Sequence, residues 1–123
     1  MSKNPLYQEY RIVYDKLRIM EIKDALATDE LKEFKFAIKR SNKCESSLNK
    51  MFDEWLKRDI NLSQKGGEDQ MNNVRMSLLE KLYAYGFLIF DPFHSSCIIN
   101  PYIMWNGYKS DWIKIKSMWQ KLK

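Results

Sequence analysis

Apolar residues recur along this chain with two different periods, and the change of period marks its elements. Met71, Val74, Leu78, Leu82 and Tyr85 repeat at three- and four-residue spacing, which predicts one face of a helix. Gly86 follows at once, where helices commonly end in a left-handed cap. Residues 87–90 are a dense aromatic and β-branched run that suits a strand. Asp91-Pro92 begins a turn, His94-Ser95-Ser96 completes it, and Cys97-Ile98-Ile99 suits the return strand.

Upstream, Leu31, Phe34 and Ile38 form the apolar stripe of a helix from about Thr28, its N-cap, to about Arg40. Asp29 and Glu30 in its first turn suit the helix dipole. Ser41-Asn42 breaks that helix, and Asn42 with Glu45, or Ser46, can cap the next. Leu48, Met51, Phe52, Trp55 and Leu56 give the next helix a strongly amphipathic pattern, and residues 61–68 then read as its connecting loop. Residues 1–28 fit two patterns. Residues 9–14 and 17–23 alternate like a hairpin turned at Asp15-Lys16, while Tyr10, Val13, Leu17 and Met20 also fit a helical stripe; Tyr, Ile and Val density favours the hairpin. Past the strands, Pro101 starts a short helical turn that Asn106-Gly107 ends. Residues 109–123 form a last helix, with Trp112, Ile115, Met118 or Trp119, and Leu122 on its apolar face.

The expected fold is α+β, mainly helical: a single winged helix-turn-helix domain over residues 1–123. An N-terminal hairpin or helix spans 1–28, the winged-helix core 29–100 and a C-terminal helical extension 101–123. The helix before Gly86 would be the recognition helix and the following hairpin the wing.

Composition narrows the class. With 45% hydrophobic residues the chain belongs with globular proteins rather than disordered ones. Cys44 and Cys97 lack CxxC spacing and there is one histidine, too few for the usual zinc sets, so free thiols in a reducing cytoplasm are expected and no cofactor. Gly66-Gly67 lacks the surrounding pattern of a phosphate loop. Nothing resembles a membrane span or a catalytic constellation, and neither a membrane partner nor an enzyme is expected.

Charge is uneven along the chain. The net charge is +5, and residues 101–123 carry five lysines against Asp111 alone, whereas residues 61–100 carry Lys65, Arg75 and Lys81 against Glu68, Asp69, Glu80 and Asp91. Affinity for duplex DNA comes mostly from cations near phosphates. The expected contacts are therefore Lys109, Lys114 and Lys116 with Lys65 for phosphates, and Arg11 and Arg18 as possible additions. Gln70, Asn72, Asn73, Arg75 and Ser77 at the start of the recognition helix suit base edges, and His94, Ser95 and Ser96 form the wing tip. The tryptophan-rich last helix suggests a homodimer interface or a surface for another protein, with closure of the chain's own core as the alternative.

From Leu78 to Asp111 the sequence resembles the RepL family of plasmid replication proteins of Gram-positive bacteria. The matching residues are Leu79, Leu82, Gly86 and Ile89, then Ile98-Ile99-Asn100-Pro101, Met104, Gly107 and Lys109. The entry to the helix and the tryptophan-rich end depart from that family. The resemblance implies a cytoplasmic protein of a plasmid or other mobile element. It would bind double-stranded DNA at a replication origin and recruit replication machinery. Neighbouring expectations are an accessory protein at a conjugative transfer origin, with conjugation proteins as partners, or an operator-binding regulator.

Overall fold

The computed structural model describes residues 9–40, 45–65, 70–91 and 96–123, with the backbone path alone for 45–47 and 63–65. Its order is β1 (Tyr10–Tyr14), α1 (Lys16–Asp24), α2 (Thr28–Arg40), α3 (Glu45–Lys65), α4 (Gln70–Ala84), β2 (Leu88–Asp91), β3 (Ser96–Ile99), β4 (Met104–Tyr108) and α5 (Lys109–Leu122). The class is α+β and mainly helical, with two antiparallel two-stranded sheets, β1–β4 and β2–β3.

The helices α2, α3 and α4 pack together and β2–β3 closes one side of them. Phe34 and Ala37, Leu48, Phe52 and Trp55, and Leu78, Leu79 and Leu82 meet Leu88 and Ile99 in one apolar core. The register Leu88↔Ile99 and Ile89↔Ile98 turns alternate pairs to opposite faces. One face meets the helices; the other, with Ile89 and Ile98, is covered by Trp119 and by the half-buried Ile115 and Leu122 of α5. Burial on both faces explains why these strands show no apolar–polar alternation. The hairpin expected to be a wing is thus an internal layer along its strands, and its turn, residues 92–95, lies outside the described residues.

Gly86 takes φ 75°, the left-handed conformation expected of it after α4. Thr28, expected as the N-cap, is the first residue of α2 itself; the preceding Ala27 accepts the Leu31 N–H at 2.8 Å and donates its own N–H to Glu30 Oε1 at 2.8 Å. The proposed cap at Asn42 lies outside the described residues.

Four expectations are corrected. Residues 17–23 are helical: Asp15 caps α1 by accepting the Arg18 N–H at 3.1 Å, and Ile19 and Ile22 are buried at helical spacing. The strand β1 therefore finds its partner far away, in β4, with Tyr10↔Tyr108 through Tyr14↔Met104. The helical turn expected to reach Gly107 ends early, because Asn100 Oδ1 accepts the Tyr102 N–H at 2.9 Å and Asn100 O accepts those of Ile103 and Met104; the chain is extended from Met104 onward. The loop expected at 61–68 begins later, since α3 runs to Lys65. Finally, Met71 and Tyr85 are exposed; the buried face of α4 is Asn72, Leu78, Leu79 and Leu82.

Candidate nucleic-acid interface

The polar start of α4 is largely committed to the protein itself. Asn72 is buried and its Nδ2 donates to Asp59 Oδ1 on α3 at 3.0 Å. Arg75 Nε lies 3.3 Å from Glu33 Oε2 on α2, and its guanidinium sits 5.0 Å from the centre of the Trp55 ring. Ser77 donates to Glu30 Oε2 at 2.5 Å, and Lys81 Nζ reaches Glu30 Oε1 at 2.6 Å. Burial pushes the Glu30 carboxyl up, but these donors and the Ala27 N–H together hold it below its ordinary value. Of the five residues expected to meet bases, Gln70 and Asn73 alone are exposed. Continuing the Leu79–Leu82 stripe backwards at helical spacing leads to Arg75 and Asn72, so the sequence did carry a sign of their inward direction.

Among the remaining expected contacts, Ser96 is half-buried at the start of β3, while His94 and Ser95 lie outside the described residues. Lys65 ends α3. Lys114 is exposed on α5, two residues from Lys116 and hence on another side of the helix.

A second surface gathers cations from distant parts of the chain. The backbone N–H of Lys109 donates to Glu9 O at 2.7 Å, extending the β1–β4 ladder into the start of α5. Arg11 lies opposite Gly107 in that ladder, on the same face as Glu9. One turn into α5, Trp112 Nε1 donates to Pro101 O at 2.8 Å, which fixes the indole against the ribbon. The Arg11 guanidinium is 4.5 Å from the centre of the Trp112 ring and Lys116 Nζ is 3.7 Å from it. Tyr102 lies beyond, its centre 5.8 Å from Lys116 Nζ, with its hydroxyl accepting Gln120 Nε2 at 3.2 Å. Aromatic faces attract cations, so the rings hold two flexible cationic side chains in place. Lys109 and Lys116 were expected as separate members of a charged helix; their meeting with Arg11 depends on the β1–β4 pairing.

The apolar stripe of α5 turns towards the chain's own hairpin. Trp119 is buried on Ile89 and Ile98, and Trp112 is half-buried beside the ribbon. Trp119, at the centre of the stripe, is therefore packed inside the chain rather than left open for a second copy or another protein. Cys97 is buried and free, and among the described residues no three His, Cys, Asp or Glu side chains come together as a metal site. No described helix is long and apolar enough to cross a membrane.

The chain matches no family model, no curated protein and no solved structure.

Proposed function

We propose that this protein binds double-stranded DNA, with the face shared by α5 and the β1–β4 ribbon supplying the phosphate contacts. The observation that carries the reading is that Arg11 and Lys116 share the Trp112 ring while Lys109 meets Arg11 at the Glu9 carboxylate, next to the other lysines of α5. Cations held on rigid elements lose less freedom on binding than free side chains do. The order of three helices followed by a hairpin supports a winged helix-turn-helix, with α4 as its recognition helix. In that reading Gln70 and Asn73 are the base-reading candidates, and Asn72, Arg75 and Ser77 hold the helix rather than read DNA.

The resemblance to RepL proteins makes a replication origin of a plasmid or other mobile element the first choice of target. A transfer origin or an operator is the neighbouring reading. A protein-binding role for the tryptophans is less well supported, because Trp119 is consumed by the chain's own hairpin.

Fluorescence anisotropy with random and origin-derived duplexes, at low and moderate salt, tests the proposal. Binding should weaken as salt rises, with a slope of about 0.9 per phosphate neutralised. A tighter complex with the origin duplex would favour the replication role. Absence of binding to either duplex at low salt would sink the DNA reading.

A further inference from the structure

Glu9 sits where an anion would sit. Its Oε2 is 3.1 Å from Lys109 Nζ and its Oε1 is 3.6 Å from Arg11 Nη2, so one carboxylate bridges two cations. The bridge is not an interior one, since the Glu9 side chain is 49% exposed and those of Arg11 and Lys109 are 36% and 26% exposed. Lys116, the third cation, has no carboxylate partner among the described residues and rests on Trp112 instead. Arg11 Nε is closed off from solvent with no acceptor in reach, so the guanidinium is incompletely satisfied where it stacks. Three cations and one exposed carboxylate leave this spot with a surplus of positive charge.

Building on the DNA reading, we propose that Arg11, Lys109 and Lys116 form a single phosphate-binding centre in which Glu9 is a built-in competitor, displaced by the phosphodiester backbone. Charged groups exchange partners readily at an exposed site, because an exposed ion pair contributes little to stability. A backbone phosphate offers the same pair of oxygens as a carboxylate and suits the guanidinium fork equally. Trp112 is the positioning residue: it touches both Arg11 and Lys116 and is itself fixed by Pro101 O. Binding must break the Glu9 bridge, so removing the Glu9 charge should strengthen binding, which loss of a merely structural ion pair would not do.

The test compares Glu9→Gln with Glu54→Gln, an exposed residue of α3 that makes the same change in net charge. Lys116→Gln is compared with Lys114→Gln, and thermal melts verify that all four are folded. At low salt, Glu9→Gln is expected to tighten binding to a random duplex by about threefold or more beyond Glu54→Gln. Lys116→Gln should weaken it beyond Lys114→Gln and lower the salt slope by about one. If the wild type binds DNA but Glu9→Gln matches Glu54→Gln, or Lys116→Gln matches Lys114→Gln, the centre is overturned and the broader reading stands. If neither the wild type nor Glu9→Gln binds at low salt, both fall.

Discussion

Asp53 Oδ1 on α3 accepts the backbone N–H of Cys97 on β3 at 2.7 Å, and one turn earlier Asn49 Oδ1 accepts that of Ile99 at 3.1 Å. The strand β3 pairs with β2 along one edge only. On the other edge a helix supplies the acceptors that a third strand would have supplied, and the exposed-edge problem is solved without one. Asp53→Ala removes an acceptor from a buried strand and is expected to cost about 1–3 kcal/mol in chemical denaturation. Asp53→Asn, which keeps an acceptor oxygen, should cost clearly less; equal losses would mean that the bond contributes nothing.

The same carboxylate gives stability an unusual dependence on acid. Burial pushes the Asp53 carboxyl above its ordinary 3.8, against the lowering effects of the Cys97 N–H and of Lys57. A raised acid binds its proton more tightly folded than unfolded. Its contribution is therefore lost as pH rises from the ordinary value through the raised one. Glu30 runs the other way: it is held below its ordinary 4.5, so its contribution is present above that value and lost as pH falls through the lowered one. Denaturation midpoints measured between neutral and strongly acid pH should separate them. Glu30→Gln should lose stability at neutral pH and suffer less further loss on acidification than the wild type. Asp53→Asn should gain relative to the wild type as pH rises above the ordinary aspartate value.

Cys97 gives a chemical readout of the same layer. Burial first, and the neighbouring Asp53 charge second, push its thiol up to about 12. The thiolate is the reactive form. Iodoacetamide at mildly alkaline pH should therefore leave Cys97 unmodified in the folded protein and modify it after unfolding, as read by peptide mass spectrometry. Because burial is the larger cause, Asp53→Asn should remain protected. Rapid labelling of Cys97 in the native protein would contradict the packing of β3 against α3.

Much of the helical layer was legible in the sequence. The stripe of Leu48, Phe52 and Trp55 lies in the core, and Gly86 ends α4 with a positive φ. What was not legible depends on contacts distant in the chain. Met104-Trp105-Asn106-Gly107 has no clear alternation and ends in residues typical of a turn; it is a strand because β1 lies beside it. Leu17 and Ile19 mimic a strand locally, while the buried pair is Ile19 and Ile22. The candidate site shows the same limit. The lysines of α5 are visible as charge, but that Arg11 and Lys116 share one indole follows from the β1–β4 register and the Trp112–Pro101 bond.

Within α4, neighbouring asparagines should behave oppositely. Asn72 is buried and bonded to Asp59, whereas Asn73 is exposed. Asn72→Ala is expected to destabilise the fold by about 1–3 kcal/mol, because Asp59 loses its partner in a confined place. Asn73→Ala should stay within about 0.5 kcal/mol of the wild type, as surface changes usually do. If Asn73 reads a base, its loss should also erode the preference for the origin duplex over the random one. A stable Asn72→Ala variant with lost sequence preference would reverse these assignments.

The last helix offers the sharpest test of how the chain is closed. Trp119 is buried against Ile89 and Ile98, with Ile115 and Leu122 beside it, so α5 covers the hairpin face that the other helices leave open. Truncating a buried tryptophan removes a large apolar contact and leaves a cavity, at a typical cost of about 3–5 kcal/mol. Trp119→Ala should accordingly lower the melting midpoint strongly, while Met118→Ala, at a residue 41% exposed one position away, should barely move it. Deleting residues 110–123 would uncover Ile89 and Ile98 together and is expected to give an unfolded or aggregating product. The burial also bears on self-association. With Trp119 packed inside the chain, Trp119→Ala should lower stability without changing a molar mass measured by light scattering under native conditions. A truncated chain that stays folded, with a smaller oligomer than the intact protein forms, would return α5 to an interface between copies.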